Sequence, residues 1–500
     1  MSVSLRFVLQ LLFLTSALCT VASSDAVAQD AADRKDVFQR WTDDPLLAAP
    51  PSLSRRQALP GDDTLSPCQP RMETEEPLSL TGAVDQALCS NPRLKNTWAQ
   101  IKVQIAKVGE ARAAYLPTLS VQYSKLKNRT IYPSSPIANN TSLGHTTYAS
   151  LNWLLFDFGG RAASLASADA ALQAAIEAHD AEIQKLLGEV ITDYYNAITA
   201  KAKFMASTEA ANLAQQTVSS ARRRLQRGVG NRSDFEQAQI ALEKDELTLS
   251  HDAGDFNKAL AALRFSLGLK ASDKIDLPEQ VVPKKTEAIS ALTKWIDLAE
   301  RSQPAIREMR EQLVAARANI ESARSQGLPS LSFITTYDQN GYPNQGLQPI
   351  RTNVTTFGLT LNIPVFDGFL QHYRVNEARA QEESAEAQMQ DTEHQVLQQV
   401  VAAYSDALTS LSVLDVSNKL LTSALDAMKS VQNRYDHGVG SMMELLSVQA
   451  SLTDARQQRV QSIAQWDADR LKLLAASGVL GRSEIIMQSN QGETPDGAQQ

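Results

Sequence analysis

The chain has 500 residues, a formal net charge of −8, 43% hydrophobic residues and only 6% aromatic ones. An acidic chain whose arginines do not alternate with aromatics offers neither a global basic field nor a stacking surface, which excludes a nucleic-acid-binding class. The length admits more than one domain, and abundant alanine with few aromatics favours long helices over a compact sandwich.

The N-terminus reads as an address. Arg6 precedes an apolar run over residues 7–18, too short to cross a bilayer, and Ala26-Val27-Ala28 fits a small-residue cleavage site. A signal peptide over residues 1–28 is expected. Cys19 does not announce a lipid anchor, because Leu18 stands where a small residue is required. No later run offers eighteen uncharged apolar residues, so a membrane role requires strands rather than a transmembrane helix. Residues 29–77 hold Pro45, Pro50, Pro51, Pro60, Pro67, Pro70 and Pro77 with little periodicity, and read as an extended arm. Cys68 and Cys89 are the two cysteines left after cleavage, in a compartment that permits disulfides. A bond between them, tying the arm to the first helix, is expected; two unrelated thiols are the alternative.

The central part is written twice. Asn91-Pro92 returns as Gln303-Pro304, and Tyr115-Leu116-Pro117-Thr118-Leu119 as Gly327-Leu328-Pro329-Ser330-Leu331, both 212 residues later. Phe156-Asp157-Phe158-Gly159-Gly160 returns as Phe366-Asp367-Gly368-Phe369, Tyr194 and Ala197 as Tyr404 and Ala407, and Gly228-Val229-Gly230 as Gly438-Val439-Gly440, all 210 later. Matches in one order at an almost constant offset indicate a duplicated sub-assembly, far longer than one turn of a solenoid. The first repeat covers residues 78–287 and the second 288–481; the polar tail 482–500 reads as disordered.

Each repeat has one grammar. A helical opening (82–113, 288–326) is ended by Leu-Pro, because the residue before proline is pushed out of the α region. The period then switches to two. Phe357, Leu359, Leu361, Ile363 and Val365 alternate with Gly358, Thr360, Asn362 and Pro364; Ala149, Leu151, Trp153 and Leu155 alternate likewise; Leu331, Phe333 and Tyr337 share a face. Strands are predicted over about 118–127, 146–157, 330–339 and 354–366, one hairpin per repeat. About ten residues is the length of a tilted membrane strand, and four strands cannot close a barrel, so several chains would have to contribute. Trp153 and Tyr148 suit an interfacial aromatic belt, with core packing an equal reading. Asp157, Gly159 and Gly160, and Asp367 and Gly368, stand where the strand stops and a helix begins: the acids can cap free N–H groups and the glycines permit a sharp turn.

Two helices of about seventy residues follow, 161–227 and 369–437, without proline and with glycine only at Gly188. Returning helices carry Phe235, Leu242, Leu249, Phe256 and Leu263, and then Leu445, Leu452, Trp466 and Leu473, on strict sevens, with Arg459 the one exception. That spacing predicts coiled-coil packing.

The repeat, the Leu-Pro joints, FDFGGR-type strand exits and the tips Arg227-Gly228-Val229-Gly230 and His437-Gly438-Val439-Gly440 together resemble the TolC-like outer-membrane efflux and secretion ducts of Gram-negative bacteria, over residues 78–480. The resemblance implies a mainly α fold with transmembrane β: a homotrimer whose twelve shared strands, four per chain, form one β-barrel continued by an α-helical coiled-coil barrel across the periplasm. It also implies docking of a periplasmic membrane-fusion adaptor at the tips, with Arg227 and Ser441 flanking, and through it an inner-membrane pump, proton-driven or ATP-driven. Asp426, in Leu425-Asp426-Ala427-Met428, lies where the family narrows its periplasmic end with acids; a solvated helix-face acid is the other reading. No cofactor and no metal is implied.

The six histidines, His145, His179, His251, His372, His394 and His437, are scattered, and neither HExxH, GxSxG, a Walker loop nor metal-spaced cysteines occur, so catalysis is not expected. A soluble periplasmic coiled-coil adaptor or scaffold explains the helices but not four amphipathic strands. Within the duct class, small-molecule efflux is expected, with type I protein secretion the alternative on the same architecture.

Overall fold

The computed structural model describes residues 44–50, 77–131, 133, 140–278, 289–340, 352–437 and 439–481. The signal peptide, most of the proline-rich arm, Cys68, Gly438 and the tail lie outside the described residues. The stretch 44–50 is a unit by itself, in which the Asp44 carboxylate accepts from the amides of Ala48 and Ala49 at 2.7 and 2.9 Å.

Proline sets the first joint of each repeat. The single helical opening expected in each is in fact two helices, α1 (Leu80–Ser90) and α2 (Pro92–Ala113) in the first, α5 (Leu292–Ser302) and α6 (Pro304–Ser325) in the second. Asn91 (ψ 125°) and Gln303 (ψ 117°) are extended, as a residue before proline must be, and each proline opens the next helix where its missing N–H costs nothing. The joints are docked. Asn91 Nδ2 donates to the Ser266 carbonyl at 2.9 Å, and Gln303 Nε2 to that of Ala476 at 2.8 Å, so each joint neutralises the unpaired carbonyls at the end of a returning helix.

Strands β1 (Thr118–Thr130), β2 (Asn140–Phe156), β3 (Ser330–Asn340) and β4 (Thr352–Asn362) form one antiparallel sheet in the order β1-β2-β3-β4. The last strand stops at Asn362, four residues before the expected end, because Pro364 cannot donate to a ladder. Among the described residues both outer strands keep an unpaired edge.

The long helices α3 (Gly160–Gln226) and α7 (Leu370–Asp436) have 67 residues each, about 100 Å at 1.5 Å per residue. The returning helices α4 (Arg232–Ser266) and α8 (Met442–Ala476) have 35 each. Leu242, Leu263, Leu445, Leu452, Trp466 and Leu473 of the sevenfold pattern are buried, while Phe235, Leu249, Phe256 and Arg459 are half-buried. Midway along, Leu186, Leu187, Val190 and Ile191 of α3 pack with Leu263 and Leu471, each side chain contributing roughly 1.5–3 kcal/mol on burial. No helix among the described residues is long and apolar enough to cross a membrane.

Candidate functional site

The register sorts the sheet into two chemistries. Leu119, Val121 and Tyr123 of β1 stand beside Leu151, Ala149 and Thr147 of β2; beyond them come Trp153 opposite Phe333, Tyr337, and Phe357, Leu359 and Leu361. Alternate residues point to opposite faces, so these share one side. Thr118, Ser120, Gln122, Ser124, Asn152, Ser150, Thr146, Thr336, Thr356 and Thr360 share the other. Among the described residues nothing covers the apolar side: Leu119 is 70% exposed and Phe357 77%.

Two residues depart from the expected alternation. Tyr148 pairs with Gln122 and Asp338 and therefore stands on the polar face, leaving Trp153 to the apolar one. Leu155 falls in a β-bulge: Leu154 pairs with Ser332 but Phe156 with Leu331, so Phe156 takes the place expected for Leu155.

The bulge is built into the strand-to-helix switch. Phe158 (φ 51°) and Gly159 (φ 89°) are both left-handed, and so are Gly368 (φ 69°) and Phe369 (φ 68°), the same two positions with glycine and phenylalanine exchanged. Asp157 then caps α3, its Oδ2 accepting from the Arg161 amide at 2.7 Å, and Asp367 does the same for Gln371 at 2.8 Å. A Cβ on Gly160 would meet the Ser325 hydroxyl, which would have to move. Arg161 ends FDFGGR, and nothing in the sequence alone reveals its role. Its guanidinium donates to the Leu154 and Leu155 carbonyls at 2.6 and 3.1 Å, pairs with Asp157 at 3.3 Å and lies 4.8 Å from the Tyr115 ring centroid. It thereby satisfies the carbonyls that the bulge takes out of the ladder. Trp153 Nε1 donates to the Tyr115 carbonyl at 2.9 Å on the same level.

At the opposite end of α3 and α7 lie the tips. Gly228 (φ 74°) ends α3, with the Val229 amide returning to the Arg224 carbonyl at 3.1 Å. Asn231 caps α4, and Ser441 caps α8 by accepting from the Glu444 amide at 3.1 Å. Val229 and Val439 are 70% and 74% exposed. A Cβ on Gly230 or Gly440 would approach the backbone at Leu225 or Tyr435 within 2.9 and 2.8 Å. The tips are unequal. The first carries Arg222, Arg223, Arg224 and Arg227; in the second, Arg434 forms a bidentate pair with Glu444 at 3.0 and 2.9 Å, and the His437 ring nitrogen lies 2.7 Å from the Asn433 carbonyl, a helix-end contact. They touch through Arg224, whose guanidinium sits 4.9 Å from the Tyr435 ring centroid, and through the shared cluster of Val218, Leu242, Val431 and Leu445. Asp426 lies on α7 ten residues before its end, exposed, about 15 Å from the tip.

Midway, a cavity of about 860 Å³ is lined by Glu182, Glu189, Asp193, Glu308 and Lys472 among others. Arg93 reaches Glu182 at 2.6 Å and Glu189 at 2.5 Å. Burial raises the Asp193 and Glu308 carboxyls above the usual range, and with them Asp469. Among the described residues no group of three or more His, Cys, Asp or Glu is placed to hold a metal. Cys89 is disulfide-bonded; its expected partner, Cys68, lies outside the described residues.

A family model described as outer membrane efflux protein matches residues 83–269 and 295–479. Protein CyaE of Bordetella pertussis is 33% identical over 440 residues, covering 88% of this chain and 91% of its own. Outer membrane protein TolC of Escherichia coli is 21% identical over 428 residues, covering 82% and 84%. Among solved structures, the CmeC outer membrane channel of Campylobacter jejuni has a TM-score of 0.71 at 18% identity, covering 84% of this chain and 93% of that one. With the family model matching over most of its length and a relative 33% identical over 88% of it, the chain belongs to the outer membrane efflux protein family, a family of channel proteins, and is itself an outer membrane channel extending into the periplasm.

Proposed function

We propose that three copies of this chain pair β4 of one with β1 of the next, closing a twelve-stranded barrel, and that the duct conducts substrate passively outward from a periplasmic adaptor and an inner-membrane pump. One observation carries this: a four-stranded sheet with an apolar face and two unpaired edges, in the same chain as 67-residue helices. Open edges are not tolerated in lipid, and closure by neighbouring copies removes them. The polar face, rich in serine and threonine, then lines a water-filled lumen. The adaptor docks at the tips, on Arg227 to Gly230 and His437 to Ser441. Asp426 contributes to a ring of three carboxylates at the periplasmic constriction, and docking favours the open state by binding it better than the closed one. Cys68 and Cys89 staple the proline-rich arm to α1. Efflux is the reading favoured here, supported by relatives such as cation efflux system protein CusC of Escherichia coli, 23% identical over 398 residues. Protein secretion is distinguished by the genes beside this one.

Native mass after membrane extraction tests the reading. Release only by detergent, at three times the chain mass, is expected. A monomer that washes free without detergent sinks the duct and returns the long helices to a soluble scaffold.

A further inference from the structure

The charges on the sheet are distributed unevenly. Among the described residues of the four strands, the lysines and arginines are Lys125, Lys127 and Arg129, all on β1, and the single acid, Asp338, is on β3. The three cations continue the alternation Leu119, Val121, Tyr123 without a register shift, so they stand on the apolar face, opposite in sense to Asp338. All three are exposed. They lie at the end of β1 farthest from the long helices: Lys125 is paired with His145, whose ring stacks on Tyr123 at 5.9 Å, and Lys127 and Arg129 lie beyond. The helices occupy the periplasm, so this end is the exterior one. The surroundings are not those of a loop in free water: Leu143 faces outward directly opposite Lys127 and is 62% exposed. Long cationic side chains in that position lay their stems on apolar surface and extend their heads to the lipid headgroups. Successive cations are spaced two residues apart, about 6.6 Å.

We infer that Lys125, Lys127 and Arg129 form an outward basic ladder that binds phosphate-bearing lipid headgroups of the outer leaflet. Three phosphate-sized anions match it in charge, and no acid on this face of the described strands repels them. Three-fold closure would repeat the ladder around the barrel, so this inference rests on the duct reading for its copy number but not for its chemistry.

The test measures the affinity of the detergent-purified full chain for diphosphorylated lipid A and for the same lipid with its phosphates removed, by native mass spectrometry. The wild type is expected to prefer the phosphorylated form. Replacing Lys125→Gln, Lys127→Gln and Arg129→Gln together is expected to weaken that form about 100-fold and leave the dephosphorylated one unchanged. Lys102→Gln with Lys107→Gln, on α2, should change neither. Equal binding of the two lipids by the wild type, or an undiminished preference in the triple variant, overturns the proposal. Displacement of the lipid by inorganic phosphate at equal concentration also overturns it, in favour of a soluble-anion site. Where the triple variant fails to assemble, Lys127→Gln alone carries the test, with a loss of about fivefold. Single-channel conductance is read in parallel, so failure of the duct and failure of the ladder are distinguishable.

Discussion

Asp338 offers the most direct test of which sheet face lines the lumen. It shares a rung with Gln122, Tyr148 and Val354 on the polar face, and its Oδ1 is buried without a hydrogen-bond partner among the described residues. Twelve strands about 4.8 Å apart and tilted about 40° enclose a radius of about 12 Å, which places three carboxylates about 10 Å from the axis. Each contributes about 0.4 kcal/mol to a monovalent ion on the axis in bulk-like water, and screening over a Debye length of about 10 Å leaves roughly 0.5 kcal/mol for all three. Cations are then favoured and anions disfavoured about twofold each, and Asp338→Asn should lower the K+/Cl− permeability ratio about fourfold. Reversal potentials across a KCl gradient in planar bilayers measure this. A ratio unchanged by the substitution would refute the lumenal placement of the polar face, and with it the three-chain closure.

Three further outcomes follow from the switch, the joints and the buried acids. Arg161→Met leaves the bulge carbonyls of Leu154 and Leu155 and the Asp157 carboxylate without their cation, and should destabilise the barrel end by about 3 kcal/mol, read as a lower temperature for loss of the native assembly. Gly478→Ala forces a side chain into φ 73° and within 2.7 Å of the Gln303 backbone, and should cost about 2–4 kcal/mol; Gly188→Ala, mid-helix with nothing within 4 Å, should gain about 1 kcal/mol in the same thermal assay. Burial raises the folded-state carboxyls of Asp193 and Glu308, so their contribution is greatest when protonated and is lost as pH rises through the raised values. Between those values and the ordinary carboxylate range, acidification should therefore raise the wild-type unfolding temperature, and Asp193→Asn with Glu308→Gln should flatten that dependence.

Much of this was legible because it is periodic. The sevens of Leu242 and Leu263 are buried as expected, and Phe333 and Leu359 share a face as the period of two requires. What escaped was decided by single residues acting across the chain. Asn91-Pro92 is visible as a repeat mark, yet the composition of 82–113 predicts one helix through it, although proline alone argues for the break. Tyr148 is one register step from the apolar face, and strand pattern cannot tell an aromatic in the lumen from one in the belt. The bulge at Leu155 has no composition signal; it is recognisable only with Arg161 seated on its carbonyls. Asp338 had a signal, an acid between outward-facing residues, that becomes informative once the register is known. The tip glycines are visible as a repeat mark, while their docking role and Asp426 come only from the resemblance, and their surroundings, Arg224 against Tyr435 above all, need tertiary structure.

The inequality of the two tips reaches beyond one chain. Three copies arranged about an axis would present six helical turns alternating between an arginine-rich kind, with Arg222, Arg223, Arg224 and Arg227, and a kind whose Arg434 is already held by Glu444. A partner ring of six identical subunits would have to recognise two different sockets with one surface, through contacts common to both, such as the exposed Val229 and Val439. A ring of threefold symmetry could instead give each socket its own counterpart, with acids reserved for the arginine-rich one. Ionic strength would then loosen half of the contacts and spare the other half, so the salt dependence of assembly reports the symmetry of the partner.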